Sequence, residues 1–266
     1  MQSFSSIGPF LDMAAILASI IIVSSILMPF EVLVAFLISY SSIYSIYYIS
    51  SQRSNNGGYY SFVGKSLGKS FGILTAILYV FYNSMVLPNI SLFIANFISS
   101  ATLNIGFSFP LQSDIYAIFF SFLTIITVSK GLKFSSFFTL ALGILEICIM
   151  GFYVIFFTIS GNGVVNIIQN PNLQSFFIGI MFGIVIFAGS GSSIFISENT
   201  NKATKTVPKA IIMSYTLSGI ILVFAAFSME NFLGISGSIL YATSGGTYIL
   251  VRLMNYSIWL FIIFLS

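Results

Sequence analysis

Inside an otherwise apolar chain, two short stretches carry residues able to bare the backbone. Ser5-Ser6-Ile7-Gly8-Pro9 sets small hydroxyls and a glycine ahead of a proline, which has no N–H and disfavours helix in the residue before it. Phe187-Ala188-Gly189-Ser190-Gly191-Ser192-Ser193 contains two glycines and three serines in five consecutive positions. A helix interrupted at either place exposes N–H groups that favour an anion, and glycine lets a ligand approach the backbone closely. Taken singly, each stretch is explained equally well by close helix packing through small residues. The chemistry on offer is therefore binding.

Two carboxyls stand near these stretches or deep in apolar sequence. Asp12 follows Pro9 by three residues, and Glu146 lies in the middle of a long apolar run. An ionised carboxylate is costly there, so such an acid is neutral, paired or lining a wet cavity. Both are candidates for coupling a proton to binding. The alternatives are a protonated Glu146 bonded to a neighbouring helix, and an Asp12 beside a substrate ammonium or in an outer vestibule. Glu31 and Asp114 open later apolar segments, where a carboxylate suits a helix N-terminus, and read as structural. There is no His and a single Cys, Cys148, which removes zinc sites, imidazole bases, disulfides and cysteine-histidine nucleophiles. Neither enzyme chemistry nor a cofactor is expected. No metal site is expected either, and any coupling ion is H+ or Na+.

The elements that position these residues follow from composition. Of 266 residues 58% are apolar and 6% charged, against about 25% charged in a soluble domain. Long unbroken apolar runs, such as Ala14 to Pro29, exclude the alternation of a membrane β-barrel. The expected fold is an all-α integral membrane protein of about eight transmembrane helices. Their spans are about Met1 to Ile26, Phe30 to Ser51, Ser70 to Ser100, Ser113 to Ser129, Ser135 to Ser160, Gln174 to Ser197, Pro208 to Met229 and Gly246 to Ser266. The third is long, with Pro88 as a possible kink and a loop carrying Gly106 and Pro110 after it. Gly161-Asn162-Gly163 and Asn170-Pro171-Asn172 mark the turn between the fifth and sixth. The first cation is Arg53, so the opening segment has no basic leader and is read as retained.

With this threading, eight of the nine cations fall on one face: Arg53, Lys65, Lys69, Lys130, Lys133, Lys202, Lys205 and Lys209. Arg252 alone dissents. Short cytoplasmic loops collect Lys and Arg, which puts both termini in the cytoplasm of a multi-pass cell-membrane protein. The net charge of +3 is thereby a topology signal, and no nucleic-acid partner is expected. The two interrupted stretches lie five spans apart, in helices of opposite direction, the pattern of an inverted repeat of broken helices.

Three further stretches resemble the amino acid-polyamine-organocation (APC) transporter superfamily, in particular its amino acid permeases. Gly57-Gly58-Tyr59-Tyr60-Ser61-Phe62-Val63, with Leu67-Gly68-Lys69-Ser70-Phe71-Gly72 and Leu78-Tyr79, is similar to the family's loop between spans two and three. Phe187-Ala188-Gly189 is similar to its discontinuous sixth helix. Glu198-Asn199-Thr200-Asn201 and Thr206-Val207-Pro208-Lys209-Ala210-Ile211 resemble the segment leading into the seventh. Gly191 stands where relatives often carry Glu, and Ser197 where they often carry a second acid. The resemblance implies a five-plus-five inverted-repeat transporter fold with broken helices 1 and 6, apparently truncated and lacking spans nine and ten. It also implies one transporter domain over residues 1–266, with a first repeat over about 1–160 and an incomplete second over about 174–266.

The expected function is secondary active transport of an amino acid or related organic amine. Substrate binding falls to Ser5, Ser6, Ile7, Gly8, Phe187, Ala188, Gly189, Ser190 and Gly191, and proton coupling to Glu146 or Asp12. Backbone N–H groups at the first break would take a carboxylate, and carbonyls at the second an ammonium group. The expected partners are the substrate, the lipid bilayer, or a second chain supplying the missing helices. The alternative is a non-transporting membrane fragment, or a ligand-sensing or assembly partner derived from a permease. Asn83, Asn89, Tyr79 and Tyr82 are weaker ligand candidates, while Cys148 and Trp259 read as packing.

Overall fold

The structure is a computed structural model that describes residues 2–24, 27–52, 57–161 and 172–265. Arg53 and the turn residues Asn162, Gly163, Asn170 and Pro171 lie outside the described residues. Among those described, the chain is helical throughout: α1 (Gln2–Ile7), α2 (Pro9–Ser24), α3 (Met28–Gln52), α4 (Gly58–Leu67), α5 (Lys69–Asn104), α6 (Gln112–Ser129), α7 (Leu132–Ser160) and α8 (Leu173–Ile186). A 3-10 helix at Ser192–Asn199 precedes α9 (Ala203–Thr243), α10 (Tyr248–Tyr256) and α11 (Ile258–Leu265).

Among the described residues, six helical stretches are long and apolar enough to cross a bilayer, one of them Ser3–Ser24, which runs through α1 and α2; α8, at 14 residues, is a shorter apolar helix. Pro88 sits inside the continuous 36-residue α5. The expected last span departs from expectation. Gly246 to Ser266 does not form one helix, because the chain is extended at Ser257 (φ −166°, ψ 135°) between the 9-residue α10 and the 8-residue α11. Neither is long enough to cross alone, since a span needs about 20 residues at 1.5 Å each. The seventh segment overruns instead: α9 continues to Thr243, bent where Gly234 adopts φ +65°.

The chain divides into two compact units. The first comprises residues 1–47, 139–192 and 209–266. Its core holds Met13, Leu17, Ile20, Met28 and Met150 with three wholly buried tyrosines. Each tyrosine hydroxyl donates to a main-chain carbonyl on another helix: Tyr153 to Leu260 at 2.5 Å, Tyr215 to Phe36 at 2.5 Å, and Tyr241 to Met13. In lipid such bonds contribute on average about 0.6 kcal/mol each, so close packing carries most of the association. Glycines permit it. A Cβ on Gly183 would lie 2.7 Å from the Ala35 methyl, and one on Gly179 would strike the Glu31 carboxyl.

The second unit comprises residues 48–138 and 193–208. Gly68 (φ +101°) turns α4 back onto α5, and the two helices touch at Gly64 and Gly72, where a Cβ on Gly72 would lie 2.8 Å from the Gly64 Cα. Gln112, at the start of α6, donates to the Thr102 hydroxyl of α5. Tyr79 stacks on Phe195 with centroids 5.0 Å apart, and Tyr59 meets both rings edge-on. Along the helices, hydroxyls bond to their own backbone: Thr75 to Phe71 O at 2.8 Å, Ser84 to Val80 O at 2.8 Å, Thr124 to Phe120 O at 2.9 Å and Thr127 to Leu123 O at 2.8 Å. This pattern hides a hydroxyl proton without needing a neighbour.

Candidate functional site

Both expected interruptions are present. Gly8, at φ +65°, separates α1 from α2, and Pro9 opens the second helix, where a missing N–H costs nothing. The two halves stay linked by Gly8 N–H donating to Phe4 O (3.2 Å) and Asp12 N–H to Gly8 O (3.0 Å). At the second interruption the ladder tightens to three-residue turns: Phe187 N–H to Ile184 O (3.2 Å), Ala188 N–H to Val185 O (2.9 Å) and Ser192 N–H to Gly189 O (2.9 Å). Gly189 takes φ +88° between them, a conformation open to glycine and costly for other residues.

The two interruptions meet, although 186 residues separate the serines that join them. Ser192 Oγ donates to Ser6 Oγ at 2.7 Å. A Cβ on Gly189 would lie 2.5 Å from Ser6 O and 3.1 Å from Ser6 C, so the two backbones approach as closely as glycine allows. Ser6 is exposed, Ala188 and Gly189 are half-buried, and Ile7, Phe187, Ser190 and Gly191 are buried. The Phe187 ring packs against Tyr215 (5.1 Å) and Phe36 (5.7 Å), which commits the side chain to the core, while its carbonyl accepts the Ser190 N–H at 3.4 Å and keeps a second lone pair. Ser5 points away from Ser192, its hydroxyl donating to Thr139 O on α7 at 3.3 Å.

Both candidate acids belong to the first interruption. Glu146 Oε1 accepts the Phe10 N–H at 2.9 Å. A carboxylate thus caps the N-terminal turn of α2, where the helix dipole favours negative charge. Asp12, in the same first turn of α2, is 4% exposed and close enough to Glu146 for their charges to interact, and its Oδ2 has no hydrogen-bond partner. Glu31 sits in the first turn of α3 as expected, but it is wholly buried, accepts from the Ser24 hydroxyl and leaves Oε1 without a partner. Asp114 is exposed in the first turn of α6.

Sequence reasoning missed Glu230. It follows the expected end of the seventh span at Met229, yet it lies inside α9 at 5% exposure with neither carboxylate oxygen partnered. The available signal was an acid continuing an apolar run of helical character. Arg252 lies on α10 with its guanidinium 5.6 Å from the Phe232 ring centroid. Of the weaker candidates, Asn83 donates to Tyr79 O of its own helix at 2.7 Å. Tyr79 is engaged in the aromatic group of the second unit, and Trp259 and Cys148 are exposed. No cluster of three or more His, Cys, Asp or Glu able to hold a metal occurs among the described residues.

Comparison with curated proteins and with solved structures gives no match. The family model for amino acid permeases matches residues 1–265. Its members are membrane transporters, in keeping with a helical chain carrying six segments that can span a bilayer. By that match over almost its whole length, the chain is a multi-pass membrane protein that belongs to the amino acid permease family of the APC superfamily.

Proposed function

We propose that this permease performs secondary active transport of an amino acid or a related organic amine, binding it where the interruptions of the first and sixth spans meet. The observation that carries this reading is the Ser6 to Ser192 hydrogen bond of 2.7 Å beside the glycine-limited approach of Gly189 to Ser6. Two helices broken at one level put N–H groups and carbonyls within reach of a single small ligand. Backbone at Ser5 to Gly8 takes the carboxylate, and carbonyls at Phe187, Ala188 and Ser190 take the ammonium group. Gly191 gives the ligand room. Glu146 already holds the Phe10 amide, so a carboxylate arriving at α2 competes with it.

Glu146 and Asp12 are the groups through which a proton is coupled to transport. Both flank the α2 N-terminus, and the substrate's ammonium group interacts with the same charges, which links proton and substrate occupancy. The two repeats, over about 1–160 and about 174–266, supply one broken helix each to a single transport domain. The N-terminus and the lysine-bearing loops face the cytoplasm, as the cation bias favours. A cytoplasmic C-terminus was expected from a full last span, which α10 and α11 do not make alone.

The test is reconstitution of the chain in liposomes with a panel of labelled amino acids and their decarboxylated amines. Saturable uptake of at least one, accelerated by unlabelled substrate on the far side, is the expected result. Absence of binding and uptake across the panel would sink the proposal.

A further inference from the structure

We propose that the groove between α4 and α5 is a binding site for one anionic phospholipid. It stands apart from the substrate reading and rests on the second unit alone. The groove has a volume of about 570 Å³ and is lined by Lys65 and Lys69 beside the Gly68 turn and by Tyr60, Ile73, Ala76 and Ile77 further from it. Lys65 is in the last turn of α4 and Lys69 is the first residue of α5, so the Gly68 turn brings two ammonium groups to one mouth. Both lysines are exposed. No acidic residue lines the groove to neutralise them.

Below the mouth, Ile73, Ala76 and Ile77 follow Lys69 at spacings of four, seven and eight, which keeps them on one face of the helix. Eight residues descend about 12 Å, enough to pass from headgroup phosphate into the acyl region. The floor is fixed because α4 and α5 touch at Gly64 and Gly72, where a Cβ on Gly72 would lie 2.8 Å from the Gly64 Cα. Paired cations over an apolar slot match a lipid with net negative charge. A zwitterionic lipid offers the same chain, but its own ammonium group opposes the lysines. Both lysines lie between the second and third spans, in the connection that the cation bias assigns to the cytoplasmic side, where interfacial basic pockets meet anionic headgroups.

The experiment uses the full chain in detergent, titrated with phosphatidylglycerol or phosphatidylcholine and read by native mass spectrometry and thermal unfolding. Wild type should bind phosphatidylglycerol in preference to phosphatidylcholine. With about a fivefold effect per lysine, Lys65→Gln with Lys69→Gln should weaken phosphatidylglycerol binding roughly 25-fold. Ala76→Trp, which fills the slot and keeps both charges, should also lose the lipid. Lys130→Gln with Lys133→Gln, in another loop of the same unit, should leave it bound. Millimolar glycerol phosphate should not compete. The proposal is overturned if wild type shows no preference between the lipids, if the Lys65/Lys69 double variant or Ala76→Trp retains the preference, if the Lys130/Lys133 variant loses it equally, or if glycerol phosphate displaces the lipid.

Discussion

Alanine at Gly189 and alanine at Gly8 should differ sharply, although both replace a glycine of positive φ at a helix interruption. At Gly8 (φ +65°) an added methyl meets nothing nearer than Leu11 Cβ at 3.8 Å, so the cost is the backbone term alone. That term is about 1–2 kcal/mol for an L-residue in the left-handed region. At Gly189 (φ +88°) the same term applies, and the methyl also falls 2.5 Å from Ser6 O. Main chain must then yield on one side, adding about 1–3 kcal/mol. The excess at Gly189, taken as about 2 kcal/mol, falls on the arrangement that joins the interruptions and weakens ligand binding about 30-fold. Equilibrium binding of a labelled substrate, with thermal unfolding of the same samples, measures both effects. Gly189→Leu should abolish binding while membrane insertion continues. If Gly189→Ala binds and melts like Gly8→Ala, the approach of Gly189 to Ser6 is not a determinant of the site and the reasoning fails.

Glu146→Ala leaves the Phe10 N–H without its carboxylate and should destabilise the fold by about 1–3 kcal/mol, whereas Glu146→Gln keeps an acceptor and should cost less; equal unfolding midpoints for both and wild type would deny the capping role. In transport, Glu146→Gln should still exchange substrate but lose accumulation driven by a pH gradient, and unchanged accumulation in both Glu146→Gln and Asp12→Asn would assign coupling to Na+ or to passive exchange. For topology, in a Cys148→Ser background, a cysteine at the exposed Lys133 should react with an impermeant maleimide only from the cytoplasmic side and one at the exposed Gln174 only from outside; labelling from the same side would undo the threading of the fifth span.

The two interruptions were legible because their cause is local. Gly8 before Pro9, and Gly189 among small residues, carry the conformational freedom that a broken helix needs. Their meeting was legible only as a symmetry expectation, since nothing near Ser6 records Ser192. The pairing of Glu146 with the Phe10 amide was invisible for the same reason, being a contact between groups 136 residues apart. Two errors arose from hydropathy. Gly246 to Ser266 is apolar enough for a span, and Ser257, where the helix stops, carries no breaker signature. The seventh span is read as ending at Met229, whereas the structure carries helix past Glu230 to Gly234 and Thr243.

The self-bonded hydroxyls along α5 and α6 have a mechanical consequence. Thr75, Ser84, Thr124 and Thr127 each spend their proton on the turn behind them, so they offer no hydroxyl donor to a passing helix. Over these turns the helix can shift by an ångström without first breaking a bond supplied by its neighbour, whereas at the far end of α5 the bond from Gln112 to Thr102 holds it to α6. Asn83 on α5 is spent in the same way, its amide donating to Tyr79 O of its own helix at 2.7 Å. Friction between membrane helices is thus set less by how many polar residues they carry than by where each donor spends its proton.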